Sequence, residues 1–266
     1  MVQDHNKAAA DAWNQGGADY DAISYAISDA LAHAAQRLWA QPGERVLDIA
    51  TGTGWTARNV ARAGAQVVAI DIATELLNAA KALSALTTPS IDFQPADAEA
   101  LPFADASFDA VISTFGIMFA GDQGRAASEA ARVCRPGGRV VVAAWSPEPN
   151  GYIARFFSTI AKYSPLPAPS PSPLTWGDQE KVQALLGRAF DLSFETGVSR
   201  FYCPSGVAFW DEYRKGFGPI RQLEGRLDSA RQAALRQDFL DLHEAYRTPT
   251  GITLERSYLL TLGTRR

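Results

Sequence analysis

Val46-Leu47-Asp48-Ile49-Ala50-Thr51-Gly52-Thr53-Gly54 is a short apolar run that breaks into a glycine-bearing turn. Val46 to Ile49 reads as a buried strand, and Trp55 to Arg62, stopped by Gly64, reads as a helix. Gly52 and Gly54 therefore sit at a strand-to-helix turn. Glycine there allows close backbone approach to a ligand and permits positive φ. The helix N-terminus adds backbone N–H groups that lack intrahelical partners.

Working outward, the chain alternates between strand and helix patterns. Gln66 to Ile70 is a second strand and Glu75 to Leu86 a second helix. Ile91 to Gln94 and Phe108 to Ser113 are further strands, Gly124 to Val133 is a helix, and Arg139 to Trp145 follows Pro136-Gly137-Gly138 as the fifth strand. This alternation implies parallel strands with helices on both faces. Its ligand crevice lies at the carboxyl ends of the strands. Upstream, residues 5 to 40 read as two helices, with the second running from Tyr20 to Trp39. Downstream, Tyr152 to Tyr163, Gln179 to Leu186, Ala208 to Phe217 and Arg221 to Tyr246 read as helices, and Leu192 to Tyr202 and Arg256 to Thr264 as strands. Between them, Pro165, Pro167, Pro169, Pro171 and Pro173 fall on every second residue. That stretch is expected to be extended and stiff. It reads as an ordered loop over the active site in preference to a protein-recognition motif.

Two carboxylates narrow the ligand. The glycine turn alone suits NAD, a flavin or S-adenosylmethionine, or glycine kept for geometry. Asp71 ends the second strand, seventeen residues after Gly54. There it can accept both hydroxyls of a ribose or cap the following helix. Asp97, after the third strand, can accept from an adenine amino group while the Ala98 N–H meets a ring nitrogen, or it can serve as a turn aspartate. A dinucleotide fingerprint needs a third glycine for close helix–strand packing. Trp55 stands three residues after Gly52, and no third glycine follows Gly54 in the turn. That argues against NAD.

Bulk properties exclude other classes. The chain has 266 residues, 47% of them hydrophobic, enough for one sizeable core. With 25 basic and 29 acidic residues the net charge is −4, which offers no whole-molecule attraction for nucleic acid or anionic membrane. Cys134 and Cys203 are far apart and read as buried reduced thiols. No apolar signal-peptide core or membrane-span-length run occurs, so the default expectation is a cytoplasmic protein without a membrane span. No cluster has metal-site spacing, so no metal is expected.

Five stretches, taken in order, resemble the class I S-adenosylmethionine-dependent methyltransferases, especially the small-molecule type that includes ubiquinone and menaquinone biosynthesis enzymes. They are Val46 to Gly54, Val67 to Asp71, Asp97 to Phe103, Ser107-Phe108-Asp109 and Arg135 to Gly138. The resemblance covers residues 45 to 145 well and the flanks loosely. It implies an α/β fold, a Rossmann-like doubly wound sheet of seven strands, mostly parallel with the last antiparallel. It implies S-adenosyl-L-methionine as cofactor. Gly52 and Gly54 would border its methionine moiety, and Asp48 would orient the loop and the ammonium. Asp71 would hold the ribose, with Ile72 beside the adenine. Asp97 and Ala98 would read the adenine edge, and Thr114 and Phe115 would floor the amino-acid end. Ala50 replaces the family's first loop glycine, a strained substitution if the position has positive φ. Residues 1–41 would cover the cofactor site, 42–204 and 251–266 would form the core, and 205–250 a helical insertion.

Methyl transfer from a sulfonium is a direct displacement, so alignment and exclusion of water carry most of the catalysis. Alignment can contribute about 7–11 kcal/mol. No catalytic residue is named. The aromatics Tyr20, Tyr25, Phe115, Phe119, Trp145 and Trp176 are candidates for a pocket binding an apolar or aromatic small-molecule acceptor. His243 is the best base among three histidines, although its mixed-charge helix suggests an exposed surface position. The rivals are an NAD-type oxidoreductase and a non-catalytic binder of S-adenosylmethionine or S-adenosylhomocysteine. A protein or tRNA acceptor is disfavoured by the acidic balance. The assembly expected is a monomer or homodimer.

Overall fold

The computed structural model describes residues 2–85, 89–165 and 169–266. Its centre is a sheet in which β1 (Arg45–Ile49) pairs in parallel with β2 (Gln66–Asp71) on one side and β4 (Phe108–Thr114) on the other. β3 (Asp92–Pro95) extends it past β2, and β5 (Cys134–Trp145) past β4, both in parallel. β8 (Gly251–Arg265) inserts antiparallel between β5 and β6 (Phe190–Cys203). The order is β3-β2-β1-β4-β5-β8-β6.

β1 and β2 are buried along nearly their whole length, which is why they read as continuous apolar runs and not as alternating ones. The chain leaves β1 for β2 and β3 on one side, then returns to β4 and β5 on the other. A crevice therefore opens between the carboxyl ends of β1 and β4, the switch point where ligands bind in such sheets.

Helices flank the sheet. α1 (Lys7–Asn14), α2 (Tyr20–Tyr25) and α3 (Ser28–Leu38) precede β1, and α4 (Trp55–Ala61) follows it. α5 (Thr74–Leu83), α6 (Gln123–Val133), α7 (Tyr152–Ala161) and α8 (Gln179–Leu186) lie between later strands. α9 (Gly206–Gly216), α10 (Gly218–Glu224) and α11 (Ser229–Glu244) separate β6 from β8. No helix among the described residues is long and apolar enough to cross a membrane.

Several elements differ from the expectations. The single helix expected from Tyr20 to Trp39 is broken at Ile27. The Ala26 carbonyl accepts a hydrogen bond from Arg256 Nη2, and the Ala30 N–H turns instead to Ile27 O and Asp29 Oδ1. The helix expected over Arg221 to Tyr246 is two helices, because Asp228 caps α11 by accepting from the Arg231 N–H. β5 begins at Cys134, since Arg135 to Gly138 forms a bulge within the strand and not a turn before it. An eighth strand, β7 (Arg247–Thr248), forms a hairpin with the start of β8, so the insertion is not wholly helical. Of the alternating-proline stretch, Pro167 lies outside the described residues, and Pro173–Gly177 coils into a 3₁₀ turn where extended chain was expected. Cys134 and Cys203 are free and buried.

Candidate active site

The glycine turn fixes the floor of the site. Ala50 has φ +57°, the left-handed conformation that alanine adopts only under strain. Its methyl is accommodated because residue 116 is glycine. A Cβ there would lie 2.4 Å from Ala50 Cβ. Phe115, also at φ +57°, turns the chain out of β4 and sets its ring against Trp145, with centroids 4.0 Å apart.

Asp71 holds the turn from the side. Its Oδ2 accepts from the Gly52 N–H at 2.8 Å and its Oδ1 from the Ala73 N–H at 2.9 Å. The Ile72 N–H also bonds this carboxyl, which still has acceptor capacity for a further donor. Burial raises the Asp71 carboxyl, with these N–H bonds opposing it. Asp48 is fully buried beneath the turn. Its Oδ2 accepts from the Thr51 hydroxyl at 2.6 Å, while Oδ1 has no partner. Burial pushes this carboxyl up to about 7, the Thr51 bond pulls it down, and Asp71 adds to the rise. An orphaned buried carboxylate oxygen under a glycine turn suits a cationic ligand group.

The N-terminal segment covers the carboxyl ends of three strands. After β1, Asp21 accepts from the Thr53 hydroxyl at 2.9 Å and from Trp55 Nε1 at 2.7 Å. After β2, Asn14 Oδ1 accepts from the Glu75 N–H at 2.9 Å. After β3, Asp97 Oδ2 accepts from the Gln3 N–H and from Asn6 Nδ2, at 2.9 and 3.0 Å. Asp97 Oδ1 accepts only from the Glu99 N–H at 3.0 Å, leaving it one acceptor position.

A cavity opens under this cover. It is lined by Ala50, Gly52, Asp71, Ile72, Asp97, Ala98 and Phe115, seven of the ten positions inferred for the cofactor. The other three are behind its wall. Asp48 lies below the turn, and Thr114 bonds the Thr56 hydroxyl at 2.7 Å. Gly54 packs so closely that a Cβ would meet Phe93 and Ala80 at 3.2–3.3 Å. Sequence reading missed Asn6, Trp13 and Gly116, which also line it. Asn6 carried no motif, and Trp13 looked like any core aromatic on an amphipathic helix.

A second cavity adjoins the first and shares Trp13, Tyr20, Phe115 and Phe119 with it. Trp145 lines it, as do Tyr152, Phe156, Phe157, Tyr213, Phe217 and Arg256. Trp13 is the hub, in edge-on contact with Tyr20, Phe119 and Phe217 at 5.2 to 5.8 Å. Two candidate aromatics are elsewhere. Tyr25 is 66% exposed and tilts onto Trp55 outside both cavities. Trp176 is fully buried beside β5 and lines neither, as does no described residue of 164–176. The expectation that His243 is a surface residue is overturned. It is fully buried, its Nδ1–H donates to Phe239 O at 2.6 Å, and its Nε2 accepts from the Tyr152 hydroxyl at 2.9 Å. Burial lowers its pKa to about 4, so it is neutral.

With this geometry established, comparison with known proteins defines the class. The family described as a methyltransferase domain matches residues 47–142. An uncharacterized protein of Mycobacterium tuberculosis is 41% identical over 182 residues, which are 66% of this chain and 65% of that protein. The chain thus spans about two thirds of that relative's length. A demethylmenaquinone methyltransferase of Beutenbergia cavernae is 38% identical over 189 residues, covering 61% of this chain and 75% of that protein. The solved structure of the YcgJ protein from Bacillus subtilis superposes with a TM-score of 0.61 at 18% identity, covering 90% of this chain and 98% of that one. This chain belongs to the class I S-adenosylmethionine-dependent methyltransferases, with their Rossmann-like fold and their cofactor. Within the class it resembles the quinone biosynthesis enzymes.

Proposed function

We propose that this protein transfers a methyl group from S-adenosylmethionine to a small aromatic or apolar acceptor. The observation that carries this reading is the shared wall. The cavity holding the nucleotide-type residues adjoins a chamber of aromatic side chains across Tyr20 and Phe115. Asp71 offers its remaining acceptor capacity to the ribose hydroxyls. Asp97 Oδ1 and the Ala98 N–H face the adenine edge, with Ile72 against the ring. Asp48, with its orphaned Oδ1, stabilises the ammonium end. The cofactor, when bound, supplies an already activated methyl group. The chain's own work is to fix the acceptor, close the N-terminal segment over the site and keep water out.

The 38% identical menaquinone-type relative supports an aromatic acceptor, and the aromatic chamber supports it independently. An NAD-binding reading has Trp55 where the fingerprint needs space. Parallel calorimetric titrations with S-adenosylmethionine, S-adenosylhomocysteine and NAD test the cofactor half. Micromolar binding of the first two alone is expected, and binding of NAD alone would overturn the reading. Transfer of labelled methyl to a panel of phenols and quinols tests the acceptor half. Binding without turnover on any aromatic acceptor would favour a non-catalytic binder.

A further inference from the structure

Arg256 breaks the chemistry of the aromatic chamber. On β8 it shares a face with Leu254, Tyr258 and Leu260, all buried, so a cation occupies a core-facing position. It is only 2% exposed, yet no carboxylate lies within ion-pair distance of it among the described residues. Nη2 donates to the Ala26 carbonyl and, at 3.2 Å, to Ser199 Oγ. Ser199 in turn donates to Asp29 Oδ1 at 2.8 Å, so that carboxylate is reached only through a serine. Nε has no partner at all. The rings of Trp145 and Phe201 lie 5.7 and 5.4 Å from the guanidinium carbon and ease the charge without neutralising it.

A buried guanidinium held only by neutral acceptors, with no carboxylate beside it, is costly to hold. Its planar fork is suited to an oxyanion. Arg256 lines the acceptor chamber, where the other lining groups are uncharged. Two phenols stand beside it. The Tyr213 oxygen takes a hydrogen bond from the Arg256 guanidinium, which opposes the rise that burial imposes on this phenol, and Tyr152 commits its proton to His243, which leaves its oxygen free to accept. Resting on the methyltransferase reading above, we propose that the acceptor is an aromatic anion, a ring bearing a carboxylate or phenolate oxygen, and that Arg256 binds this oxygen.

The test compares isosteric probes on the full chain, with and without S-adenosylhomocysteine, by calorimetry. One pair is 2-naphthoate and 2-naphthamide, and the other is ionised 4-nitrophenol and 4-nitroaniline. The anion of at least one pair should bind at least about tenfold tighter than its neutral partner. The pair that shows the preference distinguishes a carboxylate from a phenolate acceptor. Arg256→Met should bring the ratio to about one, and Arg256→Lys should keep part of it. A merely structural role would shift both probes of a pair equally. Equal affinities in the unaltered protein, or a preference that persists in Arg256→Met, would overturn the proposal. The unaltered protein answers alone should the Met variant not fold. Failure of S-adenosylhomocysteine to bind would strike the methyltransferase reading instead, and the anion preference would still be read on the unloaded chain.

Discussion

At the scale of single residues, the site depends on two backbone positions as much as on its carboxylates. Ala50 tolerates φ +57° only because Gly116 leaves room for its methyl. Gly116→Ala should therefore destabilise the protein by about 1–3 kcal/mol in urea unfolding, as overpacking does. Adding Ala50→Gly should recover part of this and not all, because a Cβ at 116 would still lie 2.8 Å from the Ala50 carbonyl. Additive losses would show that the two positions are not coupled. Asp71→Ala removes the acceptor that faces the cavity and also the Gly52 N–H bond. Affinity for S-adenosylhomocysteine should fall about tenfold to a hundredfold, with the circular dichroism spectrum retained. The residues of this half were legible because strand-to-helix turns place Gly52, Asp71 and Asp97 at fixed strand ends. Arg256 was read only as the first residue of the last strand. Its meaning depends on what β6, α2 and α7 bring to it from elsewhere in the chain.

At the scale of elements, strands with continuous apolar runs were read correctly, and the N-terminal helix was misread because a long-range bond competes there with local preference. The helix expected from Tyr20 to Trp39 has good helical spacing throughout, yet Arg256, 230 residues from Ala26, takes the carbonyl that would have continued it. Nothing near Ile27 in sequence signals that. The N-terminal helices are tied to the sheet by side-chain bonds at the ends of β1, β2 and β3, with little strand pairing of their own. Such segments open more readily than core strands. S-adenosylhomocysteine, bound beneath them, should slow amide hydrogen exchange in residues 3–25 by about tenfold or more while leaving β1 and β4 unchanged. Asp21→Ala should weaken that protection, because the Thr53 and Trp55 bonds are lost together. Uniform protection of the whole chain would mean that the cover does not act as a separate unit.

At the scale of the whole molecule, two buried titratable groups pull stability in opposite directions with pH. His243 drops from 6.5 unfolded to about 4 folded, because burial disfavours its charge. Its contribution is complete above about pH 6.5 and is lost as pH falls toward and through 4. Asp48 rises from 3.8 to about 7 for the same physical reason acting on a carboxylate. The folded state then holds a proton that the unfolded state has released, so stability increases as pH falls from 7 toward 3.8. The two slopes oppose each other over nearly the same window, and the native profile should be shallower than either group alone would make it. His243→Gln separates them, since it removes the histidine's titration and leaves Asp48 in place. Between about pH 7.5 and 4.5 the unaltered protein should lose about 2–3 kcal/mol relative to the variant in urea unfolding. Parallel profiles would mean that burial does not lower the His243 pKa.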